Sequence, residues 1–233
     1  MLCAIHQPQY LPWLGYFEKM ARADVFVLLD NVQFKKNEWQ NRNRIRTSQG
    51  WQWLTVPVRH GLGQRISEVR LNAAVDWRAQ HRKAVELNYR KAPFFGQYWP
   101  RLSALYDLEW DSLGELNIAV VRLLAELLGV STRLVTSSEL PVTSGKTQRL
   151  VDICRALDCD AYLAGAGCEK YMDFGLFSSS GIQLEVQAYR HPVYPQQWGR
   201  AGEGFVPYLS VLDLLLNCGP ESLTVLRGAG ARE

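Results

Sequence analysis

Two apolar segments near the start of the chain each end in side chains able to do chemistry. Leu2-Cys3-Ala4-Ile5 leads into His6 and Gln7, and Val25-Phe26-Val27-Leu28-Leu29 leads into Asp30. An imidazole at a strand end can act as a general base or polarise a substrate carbonyl. It can equally be a buried histidine satisfied by a backbone carbonyl. Asp30 and Gln33 read as substrate ligands or as caps of the loop that begins at Asn31. Just beyond them, Lys35, Lys36, Arg42, Arg44 and Arg46 stand against Glu38, a local balance of +4, whereas the whole chain carries +3. Positive charge is therefore concentrated in one segment, which suits an anionic partner. Phe34, Trp39 and Ile45 are interleaved with these charges, as are the amides Asn37, Gln40, Asn41 and Asn43. Arginine offers a bidentate fork to phosphate or carboxylate, lysine a point charge. A solvated surface loop is the competing reading.

These groups need elements to hold them. Residues 2–6 and 25–30 have the length and continuous apolarity of strands covered on both faces. Pro12 suits a first helical position, and Leu14, Phe17 and Ala21 then share a helical face. Residues 51–58 alternate and are rich in β-formers. A turn at Gly61 and Gly63 precedes a further strand at 66–71. Helices are expected over 75–91 and from Pro93, with Pro100 interrupting or ending the latter. The strongest helix is 112–128, closed by Gly129. Its Glu115, Arg122 and Glu126 form a charged stripe, and Asn117 lies nearly opposite, pointing inward as a ligand contact or as an amide satisfied by backbone. Strands at 132–136, 161–165 and 182–188 follow, with a helix at 145–157. A helix at 210–217 matches a capping box through Ser210 and Asp213. The tail after Gly228 should fray. Strand, helix and strand in this order define an α/β fold with a mainly parallel, Rossmann-like sheet. The whole chain, 1–233, reads as one domain with a helical insertion at about 74–128. Ligands of such sheets bind at the carboxyl ends of the strands, here near 6, 30 and 165.

Several familiar motifs fail. Ser144-Gly145-Lys146-Thr147 resembles the end of a phosphate-binding loop, but Leu140 stands where the first glycine belongs. Ser144 can still cap the helix, and Thr147 can face the sheet edge. Gly165-Ala166-Gly167 lacks its third glycine, since Lys170 stands there. Cys168 has no histidine near it in sequence to make it a nucleophile. Five cysteines without a CxxC argue against a disulfide framework or a zinc site, and four scattered histidines against other metals. No cofactor is expected. No apolar run approaches the ~20 residues of a membrane span, and no leader peptide is evident, so a reducing cytoplasm is the expected setting. Tyr194 and Gln196, in a Pro- and Tyr-rich loop, either fold over the site as a flap or cover the core.

His6-Gln7-Pro8-Gln9-Tyr10-Leu11-Pro12-Trp13-Leu14-Gly15, Asp30-Asn31-Val32-Gln33-Phe34 and Trp39-Gln40-Asn41-Arg42-Asn43 resemble the WbqC-like proteins. So do Trp53-Leu54-Thr55-Val56-Pro57, Thr147-Gln148-Arg149-Leu150, Tyr162-Leu163-Ala164-Gly165 and Ser210-Val211-Leu212-Asp213-Leu214-Leu215. The resemblance spans nearly the full chain and implies surface-polysaccharide or amino-sugar pathways; it brings no residue roles with it. A weaker similarity is to the HIGH-type nucleotidylyl transferases. Trp13-Leu14-Gly15-Tyr16 stands where those enzymes carry their histidines, which argues against their chemistry here.

The expectation is a transferase moving an acyl, aminoacyl or similar group onto an amine, such as that of a nucleotide-linked amino sugar. His6 would be catalytic. Gln7, Tyr10, Asp30, Gln33, Lys35, Trp39, Arg42, Asn43, Arg44, Asn117 and Thr147 would bind an anionic substrate. Two alternatives differ in class: a protein that engages RNA, taking its group from a charged tRNA, and a binding module without turnover.

Overall fold

A computed structural model of the chain describes residues 1–199 and 204–228. Its centre is a five-stranded, wholly parallel sheet formed by β1 (Leu2–His6), β2 (Val25–Leu28), β7 (Arg133–Thr136), β8 (Ala161–Ala164) and β9 (Gln183–Val186), in the order β7-β2-β1-β8-β9. The fold is α/β, as the element order predicts.

Successive residues of the central strands divide between two cores, because side chains alternate across a sheet. Ala4, Phe26, Leu28 and Leu163 face one apolar cluster. Cys3, Ile5, Val25, Val27, Tyr162 and Ala164 face the other. The first cluster is covered by α1 (Leu14–Arg22), α4 (Leu113–Leu128), α7 (Val211–Cys218) and α8 (Ser222–Gly228), the second by α5 (Lys146–Ala156) and α6 (Phe174–Ser179). The cysteines at positions 3, 154, 159 and 168 are buried within the second cluster, and all five cysteines are free thiols.

All of residues 29–132 lies between β2 and its sheet neighbour β7. This stretch contains two antiparallel ladders as well as helices. β3 (Arg42–Thr47) pairs with β4 (Gly50–Thr55), and β5 (Val58–Arg59) with β6 (Arg70–Leu71). Then come α2 (Trp77–Tyr89), α3 (Phe95–Ser103) and α4.

Several local expectations are corrected. The basic segment ends not in a loop but in β3, because Arg42, Arg44 and Arg46 alternate with the buried Asn43 and Ile45. The run 51–58 breaks at Pro57, which cannot donate to a ladder. Half of 66–71 is a 3-10 turn, Ile66–Glu68, and the strand is confined to Arg70–Leu71. Pro100 lies inside α3 rather than ending it. Pro12 precedes α1, whose N-cap is Trp13. Gly145, not Ser144, caps α5; the Ser144 hydroxyl donates instead to Asp152. In contrast, α4 starts with the capping box Ser112/Glu115 and ends at Gly129, whose φ of +74° is the left-handed turn that glycine adopts freely. The frayed tail expected after Gly228 lies outside the described residues.

Candidate functional site

The chain lays down β1, then β2 and β7 to one side, and returns to place β8 and β9 on the other. Strand order therefore reverses between β1 and β8. The crevice beyond the carboxyl ends at such a reversal is where open α/β sheets hold their ligands. His6 ends β1, and Gly165-Ala166-Gly167 follows β8, with Gly167 at φ +78°. The start of α5 joins this edge from the side. Thr147 Oγ1 accepts from the Asp173 amide (3.1 Å), and Arg149 Nη1 donates to the Asn31 carbonyl (3.3 Å).

His6 is half-buried, its ring 4.8 Å from that of Tyr16. Its Nδ1 lies 3.2 Å from the Gln7 carbonyl. A carbonyl can only accept, so this contact places the proton on Nδ1 and leaves Nε2 with a lone pair. Burial, aided by the nearby Lys19 ammonium, pushes the His6 pKa down to about 3. The ring is thus neutral at physiological pH. Lys19 is itself 2% exposed; its Nζ donates to the Ile5 carbonyl (2.9 Å), and burial lowers its pKa to about 8.

Many of the remaining candidates prove to be ties within the fold. Gln7 Oε1 accepts from Gln40 Nε2 (2.6 Å), whose own Oε1 accepts from the Lys35 amide (2.8 Å). Asp30 accepts from Ser137 Oγ (2.8 Å) and the Ser138 amide (3.0 Å), which makes it a loop cap. Asn43 Nδ2 donates to the Leu11 carbonyl (2.6 Å). Asn117 Nδ2 donates to the carbonyls of Pro8 (3.1 Å) and Gln40 (2.7 Å), so its NH2 is held by backbone, while its Oδ1 is buried without a partner. Tyr10 sits in the core, its hydroxyl 2.9 Å from His81 Nδ1 and from Tyr106 Oη. Gln33 is exposed and bridges to Arg65. Tyr194 and Gln196 are core cover, both bonded to Asp213. Burial raises the pKa of the Cys168 thiol, which disfavours the nucleophilic thiolate.

A second group does converge. Asn37, Glu38, Trp39, Arg42, Arg44 and Trp53 line a cleft of about 330 Å³. The Arg42 guanidinium lies 4.3 Å from the ring centre of Trp53, and that of Arg44 lies 4.9 Å from Trp51 and 5.7 Å from Trp39. The ladder explains this: Arg44 pairs with Trp53 and Arg46 with Trp51, so cation and indole share a face. Each cleft arginine is pinned by a carbonyl, Arg42 by Asn37 and Arg44 by Tyr208 (3.1 Å). Both of those residues have positive φ, +63° and +59°. Such a conformation strains a tyrosine and persists only where surrounding structure imposes it. His6 does not line this cleft. It is connected to it through the Gln7–Gln40 bond and the short chain to Trp39.

Trp51, Trp53, Lys19 and Arg149 are site residues that the sequence reading does not single out. The alternation in residues 51–58 places both tryptophans on one face, and that signal could have found them. Nothing in the sequence marks Lys19 as buried, because it stands beside Glu18, also buried, on a helix packed nearly all round. Among the described residues no group of three or more metal-ligating side chains is assembled, and no helix is long and apolar enough to cross a membrane.

The architecture is that of a parallel α/β protein whose strand order reverses between β1 and β8, with an arginine–tryptophan cleft at its β3–β4 hairpin. The sequence pattern of the WbqC-like protein family matches residues 7–225, and the chain belongs to that family. It is 37% identical over 230 residues to the uncharacterized protein Rv1507c of Mycobacterium tuberculosis (strain ATCC 25618 / H37Rv), covering 96% of each chain. No solved structure matches it.

Proposed function

We propose that this protein is a transferase that moves an acyl, aminoacyl or similar group onto the amine of a nucleotide-linked amino sugar or related small molecule, in the biosynthesis of a surface polysaccharide or specialised metabolite. The observation that carries the reading is the neutral imidazole of His6 at the strand reversal, with Nε2 open as an acceptor. The amine attacks the carbonyl carbon of the donor. A new C–N bond forms, the bond to the donor's leaving group breaks, and the amine proton departs with that group. His6 Nε2 accepts a hydrogen bond from the attacking N–H and aims the nitrogen lone pair. A group with a pKa near 3 does not retain a proton at neutral pH, so orientation is its contribution rather than proton storage. Carbonyl polarisation is disfavoured for this ring, since its N–H points at Gln7. Lys35, Arg42 and Arg44 hold the phosphates of the nucleotide. A cytoplasmic setting fits the free cysteines.

Turnover assays pairing nucleotide-linked amino sugars with acyl and aminoacyl donors test this. His6→Ala should lower kcat by about 10²-fold with a melting temperature close to wild type. Unchanged turnover, or collapse of the fold in this variant, refutes the assignment.

A further inference from the structure

The arginine–tryptophan face is larger than one nucleotide requires. Trp51 and Trp53 are 44% and 37% exposed, and Tyr208, whose carbonyl pins Arg44, is 50% exposed. Isolated exposed aromatics are ordinary; here the indoles are contiguous, whereas the Tyr208 ring packs on Trp13 and His191. Trp39 and Trp53 lie 5.6 Å apart and Trp51 and Trp53 5.5 Å apart, with guanidinium groups against the indoles. The positive charge also continues past the cleft. Lys35 and Lys36, which are exposed, directly precede the cleft residue Asn37, and the bridge between Gln33 and Arg65 and the contact of Phe34 with His60 bring Arg65 and His60 next to that segment. Among the described residues none of these lysines or arginines forms an ion pair. Glu38 is, among the described residues, the one carboxylate lining the cleft. The Nε–H groups of Arg42 and Arg44 are buried without a partner.

We infer that the β3–β4 face binds a single-stranded polynucleotide, whose bases stack on Trp39, Trp51 and Trp53 while its phosphates run along Arg42, Arg44, Lys35 and Lys36. Base–indole stacking tolerates any sequence, and a row of cations tracks a backbone. Charge complementarity selects this occupant over a protein surface of mixed charge. The two left-handed residues set the guanidinium groups in place beforehand, which lowers the ordering cost of binding. This inference shares Lys35, Arg42 and Arg44 with the transferase reading but asks nothing of His6, so the two can fail separately.

Fluorescence anisotropy with the full chain and labelled twelve-nucleotide oligo-U and oligo-dT probes provides the test, with uridine diphosphate as the small competitor. Four phosphate contacts on a single strand should weaken binding roughly 50-fold between 50 and 200 mM salt. Trp53→Ala should weaken it roughly tenfold or more, and the double variant Lys35→Glu, Lys36→Glu should flatten the salt dependence. The two probes show whether ribose or deoxyribose is preferred, and tight, salt-steep binding of either supports the inference. His6→Ala should bind as wild type does, so failure of the catalytic proposal leaves this result intact. Uridine diphosphate binding as tightly as the oligomer with shallow salt dependence overturns the inference. So does the absence of oligomer binding, or Trp53-dependent self-association without it. The charge-reversal variant, which alters only exposed side chains, decides the matter if Trp53→Ala does not fold.

Discussion

Asp213 is fully buried and accepts hydrogen bonds from Tyr89 Oη (2.8 Å), Tyr194 Oη (2.9 Å) and Gln196 Nε2 (2.8 Å). Those donors come from α2 and from the loop before α7, so one carboxylate binds three parts of the chain together. Asp213→Ala would leave three buried donors unpaired, and the expected loss is about 3–5 kcal/mol in urea unfolding. Burial raises the Asp213 pKa to about 6 against these hydrogen bonds, which pull the other way. The folded protein then holds this proton more tightly than the unfolded chain. The contribution of the group is greatest below pH ~4 and declines as pH climbs to about 6. The sequence pairs Asp213 with Ser210 in a capping box. Ser210 does cap α7, accepting from the Leu212 amide (3.2 Å), but the aspartate turns inward. No local pattern distinguishes those outcomes, because the donors lie 17 and 124 residues away. Asn43 and Asn117 follow the same logic. Their amide types suggest ligand contacts, while their partners are backbone carbonyls from distant segments.

At the level of elements, α4 approaches the 3-10 turn Ile66–Glu68 closely enough to need glycine. A Cβ on Gly114 would stand 2.9 Å from Ser67 Cα, and backbone cannot yield as a side-chain tip can. Gly114→Ala should therefore destabilise the protein by about 1–3 kcal/mol in thermal unfolding, although alanine is the better helix former in isolation. Elements with strong periodicity or definite caps were legible in the sequence: β1 matches residue for residue, and α4 begins and ends at its capping signals. The hairpin β3–β4 was half legible. β4 shows alternation of apolar and polar residues, whereas β3 alternates arginine with buried asparagine and isoleucine, a pattern that reads as a charged loop until its partner strand supplies the tryptophans.

For the whole molecule, acid is the revealing perturbation. Burial lowers the pKa of His6 to about 3 and that of His81 to about 4. The unfolded chain takes up these protons near pH 6.5 and the folded protein does not, so stability is full above pH 6.5 and is lost as pH falls toward 3. A tenfold difference in proton affinity between folded and unfolded chain corresponds to about 1.4 kcal/mol, so the two imidazoles together outweigh Asp213, which acts in the opposite sense. Chemical denaturation between about pH 4 and 7 should show stability rising with pH, and His81→Phe should reduce that rise. A flat profile would mean that these rings are hydrated.

The position of β1 also has a consequence during synthesis. This strand is synthesised well before one of its partners: in the finished sheet it is flanked by β2 and by β8, which begins only at Ala161. At a translation rate of about 5–20 residues per second, the nascent chain carries an apolar strand with one unsatisfied edge for roughly 8–30 seconds. Such an edge is a template for pairing with other chains, which makes this interval the time when the polypeptide most needs a chaperone.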